Sequence, residues 1–283
     1  MRPSTAELLP PLEAAVGPVS ALQRTRSPLA STAALEAVRA TLADGSSLDL
    51  VLKSGGRDTP REVAFYRDVL VRAGLGTPRF LAGSDRGPGW LLVEALAGGP
   101  LWRSGDLDHW CSAARWLASA HERLAAEAAR QRSVIGSRYE EQLERAVERD
   151  ARAADLRDAC VTAAAALRGA ARTVVHGEAF PSNVLVAPAG AVCLVDWETA
   201  GQGPGQLDLA ALCAGWPAEG AARIAAAYAD GSAPGSLSLL PAARLAVAVR
   251  WLGEARPRPD AGGGHARHTD WWAEAVAAAE LLA

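Results

Sequence analysis

Three residues between positions 176 and 198 are of types that can act together on a phosphoryl group. Glu178 and Asn183 lie in HGEAFPSN (176–183), and Asp196 lies in LVDWE (194–198). Phosphoryl transfer needs a carboxylate that orients or deprotonates the acceptor hydroxyl, and it needs oxygen ligands for Mg²⁺. It also needs a cation beside the phosphates, because its catalysis is mostly positioning and charge neutralisation. These residue types therefore predict phosphoryl-transfer chemistry.

The spacing of these residues is more specific than their types. Glu178 and Asn183 have four residues between them, which is the separation of the Asp and the metal-binding Asn in a protein-kinase catalytic loop. Asp196 follows two short strand-like runs and the turn signal Pro188-Ala189-Gly190, where that template has its metal-binding Asp. A hairpin at this turn would fold the chain back, so we expect Asn183 and Asp196 to face one ion.

The cation that this chemistry requires is indicated by the lysine content. Of the 29 lysine and arginine residues, Lys53 alone is a lysine. The abundance of Ala, Arg and Gly suggests a GC-rich genome, in which arginine replaces generic surface lysines. A remaining lysine is then a candidate for a compact point charge that a planar guanidinium cannot supply, although survival by chance is the alternative.

Composition excludes several other classes of protein. The formal net charge of −3 and the 22% of charged residues do not indicate a nucleic-acid binder or a disordered chain. The first residues lack a signal-peptide apolar core, and no stretch reaches the ~18 consecutive apolar residues of a membrane span. The four cysteines form no CxxC pair, so we expect buried thiols rather than a metal site. We therefore expect a cytoplasmic protein without a membrane or nucleic-acid partner.

The elements that must position these residues follow from hydrophobic periodicity. SLDLVLK (47–53) alternates like a half-buried strand, and residues 61–74 carry apolar positions on one helical face. From Asp106 to Arg172 the pattern is almost continuously helical. We predict an α+β protein with a small β-rich lobe, residues 1–96, and a larger, mostly helical lobe, residues 97–283.

The ordered motifs resemble those of the aminoglycoside phosphotransferase and choline kinase family. The resemblance rests on HGExxxSN, the hairpin, VDWE and DLAAL (208–212), and it extends over most of residues 20–215. It implies a protein-kinase-like fold of two lobes and transfer of a phosphoryl group to an alcohol. It also implies that Glu178 is the catalytic base, that Asn183 and Asp196 hold Mg²⁺, and that Asp208 braces the catalytic loop.

The same resemblance implies a nucleotide site for ATP or GTP in the first lobe. Lys53 would contact the phosphates, and Glu62 would be its ion-pair partner. Glu94 to Leu96 would form the hinge, whose backbone groups hold the adenine ring of the nucleotide. No glycine-rich loop is present, and Ser27 and Ser31 of RSPLAST (26–32) could bind phosphate or cap a helix. Glu62 taken alone could also be an ordinary acid at a helix N-terminus.

One residue departs from the pattern of the family, whose usual loop carboxylate is Asp where this chain has Glu178. The extra methylene moves the carboxylate by ~1.5 Å unless the side chain folds back. Either the acceptor site fits a longer base, or the chain is a pseudokinase that binds nucleotide or ligand without transfer. We favour the active kinase because the remaining metal-binding residues are intact.

The acceptor is the least specified part of the sequence. The acidic stretch 139–150 has arginines interleaved, which is typical of a solvated helix, and the loop 256–268 is basic. Trp251, Trp271 and Trp272 could line an apolar pocket or belong to the core. We expect the acceptor to be a neutral or apolar hydroxylated metabolite, such as an antibiotic-like natural product. Such an acceptor would link the chain to antibiotic resistance. We expect the protein to be a monomer or a homodimer.

Overall fold

The computed structural model describes residues 2–26, 34–134, 137–231, 236–254 and 269–283. Within this part the chain divides into two units. The first unit contains the chain up to Gly98 together with Val195–Thr199, and the second contains the remaining described residues. The division into domains at residues 1–96 and 97–283, which we made from the sequence, stays a prediction.

Five antiparallel strands form the sheet of the first unit, in the order β1-β2-β3-β5-β4. They are β1 (Val19–Arg26), β2 (Ala34–Leu42), β3 (Ser47–Ser54), β4 (Phe80–Ser84) and β5 (Trp90–Glu94). Gly45 lies in the predicted turn between β2 and β3, and its φ of 84° is in the left-handed region that glycine adopts without strain.

The two faces of strand β3 have different neighbours. Leu52 is fully buried in a cluster with Leu8 and Leu12 of helix α1 (Thr5–Val16). Lys53, the next residue, points to the opposite face because side chains alternate along a strand. The alternation predicted for residues 47–53 therefore places one face in the core and leaves the other for the lysine.

The helix predicted at residues 61–74 is present with an interruption. Helix α2 (Thr59–Phe65) continues through a π-helical turn, Tyr66–Leu70, into α3 (Val71–Ala73). Gly74 ends it in the left-handed conformation that glycine commonly adopts after a helix. The segment therefore carries Glu62 in its first turns, on the unit that also carries Lys53.

The second unit is mostly helical. Its described helices are α4 (Leu107–Leu124), α5 (Ser137–Arg149), α6 (Arg157–Gly169), α7 (Gln206–Cys213), α8 (Ala218–Ala229), α9 (Leu240–Gly253) and α10 (Trp271–Glu280). Helix α9 lies at the centre of one core, where Leu245 and Val249 pack with Leu143 and Leu167. None of the helices in the described part of the chain is long and apolar enough to cross a membrane.

Short strands position the loop that carries Glu178. Strand β7 (Thr173–Val175) leads into it and pairs with β10 (Gly201–Gly203), while β8 (Val184–Val186) leaves it and pairs with β6 (Gly99–Pro100) and β9 (Val192–Leu194). The predicted hairpin between β8 and β9 is confirmed. Strand β10 lies in GQGPGQ (201–206) and was not predicted from the sequence. The α+β class is also confirmed.

Candidate active site

Lys53 lies among three carboxylates of the first unit. Its Nζ is 2.8 Å from Glu62 Oε2 and 2.7 Å from Glu198 Oε2, and it also donates a hydrogen bond to Asp196 Oδ1. The lysine side chain is 12% exposed and that of Glu62 is 2% exposed. The structure therefore brings together three predicted site residues, Lys53, Glu62 and Asp196, and it adds Glu198 to them.

The charges of this group alter the titration of its members. Burial by itself lowers the pKa of Lys53, but the attraction of the neighbouring carboxylates outweighs it and raises that pKa. Burial raises the pKa of Glu62, Lys53 opposes this, and the charges of Asp196 and Glu198 add to the rise. Lys53 is therefore a persistent cation in a region with an excess of negative charge.

Backbone and ring contacts hold Glu62 and Glu198 in place. The backbone N–H of Trp197 donates to Glu62 Oε1 at 3.0 Å, and the Trp197 ring stacks on Phe65 with centroids 5.5 Å apart. Arg61 Nη1 donates to the Glu198 backbone oxygen at 3.0 Å. The sequence did not identify Trp197 as a support of Glu62.

Asp196 has an unusual backbone conformation. Its φ of 71° makes it the one described non-glycine residue in the left-handed region, a conformation that concentrates at functional sites. Oxygen atoms of Glu62, Asp196 and Glu198 lie within 4.8 Å of one another. Because Mg²⁺ binds hard oxygen donors, this donor set fits the predicted ion.

The predicted hinge residues lie at and just beyond the end of strand β5. Glu94 ends β5, its backbone N–H donates to Arg79 O at 3.0 Å, and its side chain is partly exposed. Leu96 is exposed, two residues beyond the strand. Ser27 and Ser31 lie outside the described residues. The nucleotide contacts assigned to these four residues stay predictions.

In the second unit, side chains fix the backbone around Glu178. Asn183 Nδ2 donates to the Glu178 backbone oxygen at 2.9 Å, and the Glu178 N–H donates to His176 Nδ1 at 3.3 Å. Gly177 between them has a φ of 83°. Since its amide nitrogen donates within the loop, the carbonyl oxygen of Asn183 is the atom that would ligate a cation, and this metal role stays a prediction.

Asp208 supports the same loop from the first turn of α7. It is fully buried, its Oδ2 accepts from the His176 N–H at 2.6 Å, and its Oδ1 accepts from the Gly177 N–H at 2.8 Å. His121 Nε2 lies 3.0 Å from Oδ2, and His121 Nδ1 lies 2.8 Å from Tyr228 Oη. Burial alone would raise the pKa of Asp208, but the hydrogen bond and charge of His121, together with His176, lower it.

The carboxylate of Glu178 has a partner that the sequence did not reveal. Arg250 in the last turn of α9 pairs with Glu178 Oε1 through Nη2 and donates from Nη1 to the Gly177 backbone oxygen at 2.8 Å. The two residues are 72 positions apart. No motif or periodicity marks Arg250 among the many arginines of the chain.

Aromatic rings adjoin the Glu178 loop. Phe180 packs edge to face against Trp251 and Trp271 with centroids 5.3 and 6.1 Å apart, and the two tryptophans stack with centroids 5.4 Å apart. All three belong to one small hydrophobic cluster, in which the tryptophans are partly buried. Trp272 instead faces Arg152, whose guanidinium lies 4.5 Å from the ring centroid.

Comparison with known proteins relates this arrangement to one family. The profile described as the phosphotransferase enzyme family matches residues 25–246. Comparison with curated proteins finds no significant match.

Solved structures share the fold at low sequence identity. Choline kinase LicA from Streptococcus pneumoniae has a TM-score of 0.60 at 16% identity, covering 96% of this chain and 95% of that one. Macrolide 2′-phosphotransferase MphH from Brachybacterium faecium has a TM-score of 0.57 at 20% identity, covering 92% and 91%. An aminoglycoside phosphotransferase from Alicyclobacillus acidocaldarius has a TM-score of 0.56 at 19% identity, covering 99% and 94%.

Proposed function

The chain belongs to the phosphotransferase enzyme family, and from that premise we propose that it is a kinase that transfers the γ-phosphoryl group of ATP or GTP to a hydroxyl group of a small molecule. The observation that carries the proposal is the group around Lys53. A buried lysine held by Glu62, with Asp196 and Glu198 beside it, supplies both a cation for phosphates and oxygen ligands for a divalent metal.

Each residue has a role in this proposal. Lys53 contacts the phosphates that are not transferred, and Glu62 keeps its ammonium group in place. Asp196 is the Mg²⁺ ligand that we propose in the first unit, and Asn183 is the one that we propose in the second. Bound Mg²⁺ would neutralise charge on the phosphates.

Glu178 is the base in this proposal. Its carboxylate accepts the proton of the acceptor hydroxyl while the hydroxyl oxygen bonds to the γ-phosphorus and the nucleoside diphosphate leaves. The loop contacts of Asn183, His176 and Asp208 support this role, because a base must be held within hydrogen-bond reach of its proton. We place the reaction in the cytoplasm, where nucleoside triphosphates are available.

Calorimetric titration of ATP and GTP, with and without Mg²⁺, tests the nucleotide site without knowledge of the acceptor. We expect Mg²⁺-dependent micromolar binding of at least one nucleotide to the wild type. Lys53→Ala should weaken it by about 10- to 100-fold, because a charge-assisted hydrogen bond contributes roughly 1.5–3 kcal/mol.

Arg39→Ala is the matched control for that experiment. Arg39 is a cation of the same sheet, but it is exposed and pairs with the exposed Asp49. Its loss should leave nucleotide affinity unchanged. Absence of binding of both nucleotides to the wild type would contradict the kinase assignment.

A pseudokinase is the second candidate, because Glu178 replaces the usual Asp of the family. Tight binding of Mg·ATP with no transfer to water or to any acceptor would favour it. The engagement of Glu178 by Arg250 favours the active kinase instead, because it gives the longer side chain a defined position.

We further propose a neutral hydroxylated acceptor with apolar surface, such as an antibiotic-like natural product. Two observations support this class. Glu140 and Glu144 of the acidic helix pair with Arg168 and Arg157, so these carboxylates are already neutralised. The partly buried rings of Trp251 and Trp271 beside the Glu178 loop would supply apolar contact area.

A further inference from the structure

Arg250 makes two polar contacts with the loop of the proposed base and a third with Glu254 at the end of its own helix. Nη1 donates to the Gly177 backbone oxygen, Nη2 pairs with the Glu178 carboxylate, and Nε donates to Glu254 Oε1 at 3.0 Å. The arginine side chain is 25% exposed and that of Glu178 is 28% exposed. The pair is therefore partly shielded from water, where a charge-assisted hydrogen bond is stronger than at an open surface.

The geometry of the guanidinium restricts where the carboxylate can lie. Nη1 and Nη2 are neighbouring nitrogens of one planar group, and they hold the backbone oxygen of Gly177 and the side chain of the next residue together. The Glu178 carboxylate is thereby held near the Gly177 backbone oxygen, since one guanidinium binds both. A lysine could not make both contacts in this way, because its ammonium is a point charge without a planar fork.

This arrangement compensates for the extra methylene of a glutamate. An unrestrained Glu would place its carboxylate ~1.5 Å further out than an Asp, and a misplacement of ~1 Å can cost ~100-fold in rate. His176 and Asn183 fix the backbone of Glu178, so the remaining conformational freedom of this residue is in its side chain. Arg250 is the partner of that side chain among the described residues.

We propose that Arg250 is a positioning residue that acts through Glu178, and that the two form a matched pair used in place of a shorter carboxylate. The proposal rests on the proposed function, because it takes Glu178 to be the base. Arg250 engages Oε1, which leaves Oε2 to accept the proton of the hydroxyl. Asp at position 178 would be too short to keep the contact with Arg250.

Rates of Mg·ATP hydrolysis, with water as the acceptor, test the pair. Arg250→Met should lower kcat by about 10- to 100-fold with KM for ATP unchanged within about twofold, since the nucleotide contacts lie elsewhere. Arg250→Lys should not restore the rate. Glu178→Asp should be slower than the wild type, and a faster rate in that variant would contradict the proposal.

The double variant separates positioning from an independent role. Glu178→Gln should abolish most of the activity, and adding Arg250→Met should lower it no further, because Arg250 acts through the group already removed. A further drop of tenfold or more would show that Arg250 acts on the phosphoryl group itself, which would overturn the proposal.

Arg244→Met is the matched control. Arg244 lies on the same helix and forms a comparably buried ion pair with Glu274, 2.7 Å apart, away from the Glu178 loop. The control should lose stability but keep kcat. A loss of kcat equal to that of Arg250→Met would reduce Arg250 to a structural residue of α9 and reject the positioning role.

Crystal structures decide the matter if hydrolysis by the wild type is too slow to follow. In Arg250→Met the backbone from Gly177 to Asn183 should keep its place while the Glu178 carboxylate loses its single position. An unchanged carboxylate would overturn the proposal. Calorimetric binding of Mg·ATP is measured on the same variant, so failure of the nucleotide site and failure of the pairing are distinguishable.

Discussion

At the scale of single residues, Asp208 is the acceptor on which the Glu178 loop depends. Its two oxygens receive the consecutive N–H groups of His176 and Gly177, and a histidine contacts one of the oxygens from the other side. It lies in the first turn of α7, where the helix dipole favours a negative charge. A buried charge with this set of partners is stabilising only while every partner is present.

Asp208→Asn should therefore destabilise the fold and slow transfer. The amide turns one oxygen into an NH₂ group that faces another donor, so we expect the free energy of unfolding to fall by about 3–5 kcal/mol, the range measured when one partner of a buried pair is lost. Urea denaturation measures the loss. Equal stability of the two proteins at pH 7 would show that Asp208 is not the brace of the loop.

The same comparison has a defined pH dependence. The pKa of Asp208 is lowered from 3.8, so its contribution is present in full above about pH 5 and is lost as the pH falls through the lower folded value. The difference in unfolding free energy between wild type and Asp208→Asn should stay constant from pH 7 to 5. It should begin to shrink below about pH 5 and fall steadily below pH 3.8.

At the scale of elements, helix α7 begins against the histidine and tyrosine that support Asp208. Gly205, just before the helix, has no room for a side chain, because an added Cβ would lie 2.2 Å from Tyr228 Oη and 2.5 Å from His121 Nδ1. These two atoms are hydrogen-bonded to each other. The close approach of the helix start therefore depends on the absence of a methyl group.

Gly205→Ala should separate this pair and lower the free energy of unfolding by about 1–3 kcal/mol, as overpacking of a core does. Thermal denaturation measures the effect. Gly169→Ala is the control, because Gly169 ends α6 and an added Cβ there has no atom within 4 Å. The control should be neutral or slightly stabilising, since Ala favours helix over Gly. Equal melting temperatures for both variants would contradict the argument.

Elements with strong local patterns were predictable from the sequence, and elements that depend on distant partners were not. Strand β3 and the β8–β9 hairpin follow from alternation and a turn signal. Helix α1 was missed although Ser4 and Glu7 form a capping box, with the Ser4 N–H donating to Glu7 at 2.7 Å. Strand β10 has three residues and is defined by pairing with β7, which no local pattern could indicate.

At the scale of the whole molecule, the resemblance to the phosphotransferase family and the α+β architecture predicted from motifs are confirmed. Motif order supported this prediction where overall similarity is low, since the three solved structures described above share 16%, 19% and 20% identity with the chain. The motifs predicted Glu178, Asn183 and Asp196 as site residues and Asp208 as the brace of the loop, but they did not indicate Arg250 or Trp197. Arg250 and Trp197 act through tertiary contacts made by ordinary residue types, and such contacts leave no mark on spacing.

The proposed acceptor class describes which small molecules the whole protein phosphorylates. Mass spectrometry of candidate acceptors tests it. Incubation with Mg·ATP should add a phosphoryl group to neutral hydroxylated compounds with apolar surface and not to polycationic aminosugars of similar size. Trp251→Ala should raise KM for the acceptor, whereas Trp272→Ala, whose ring faces Arg152, should not. Phosphorylation confined to the polycations would contradict the class.

The single lysine has a consequence for covalent chemistry. Apart from the terminal α-amino group, Lys53 is the only aliphatic amine that an acylating reagent can modify. Its raised pKa keeps that amine protonated and therefore poorly nucleophilic towards reagents in bulk solution. A nucleotide that carries an acyl phosphate would place its acyl group beside the Lys53 amine and acylate it. The increase in the intact mass of the protein would then report the fraction of nucleotide sites that were occupied.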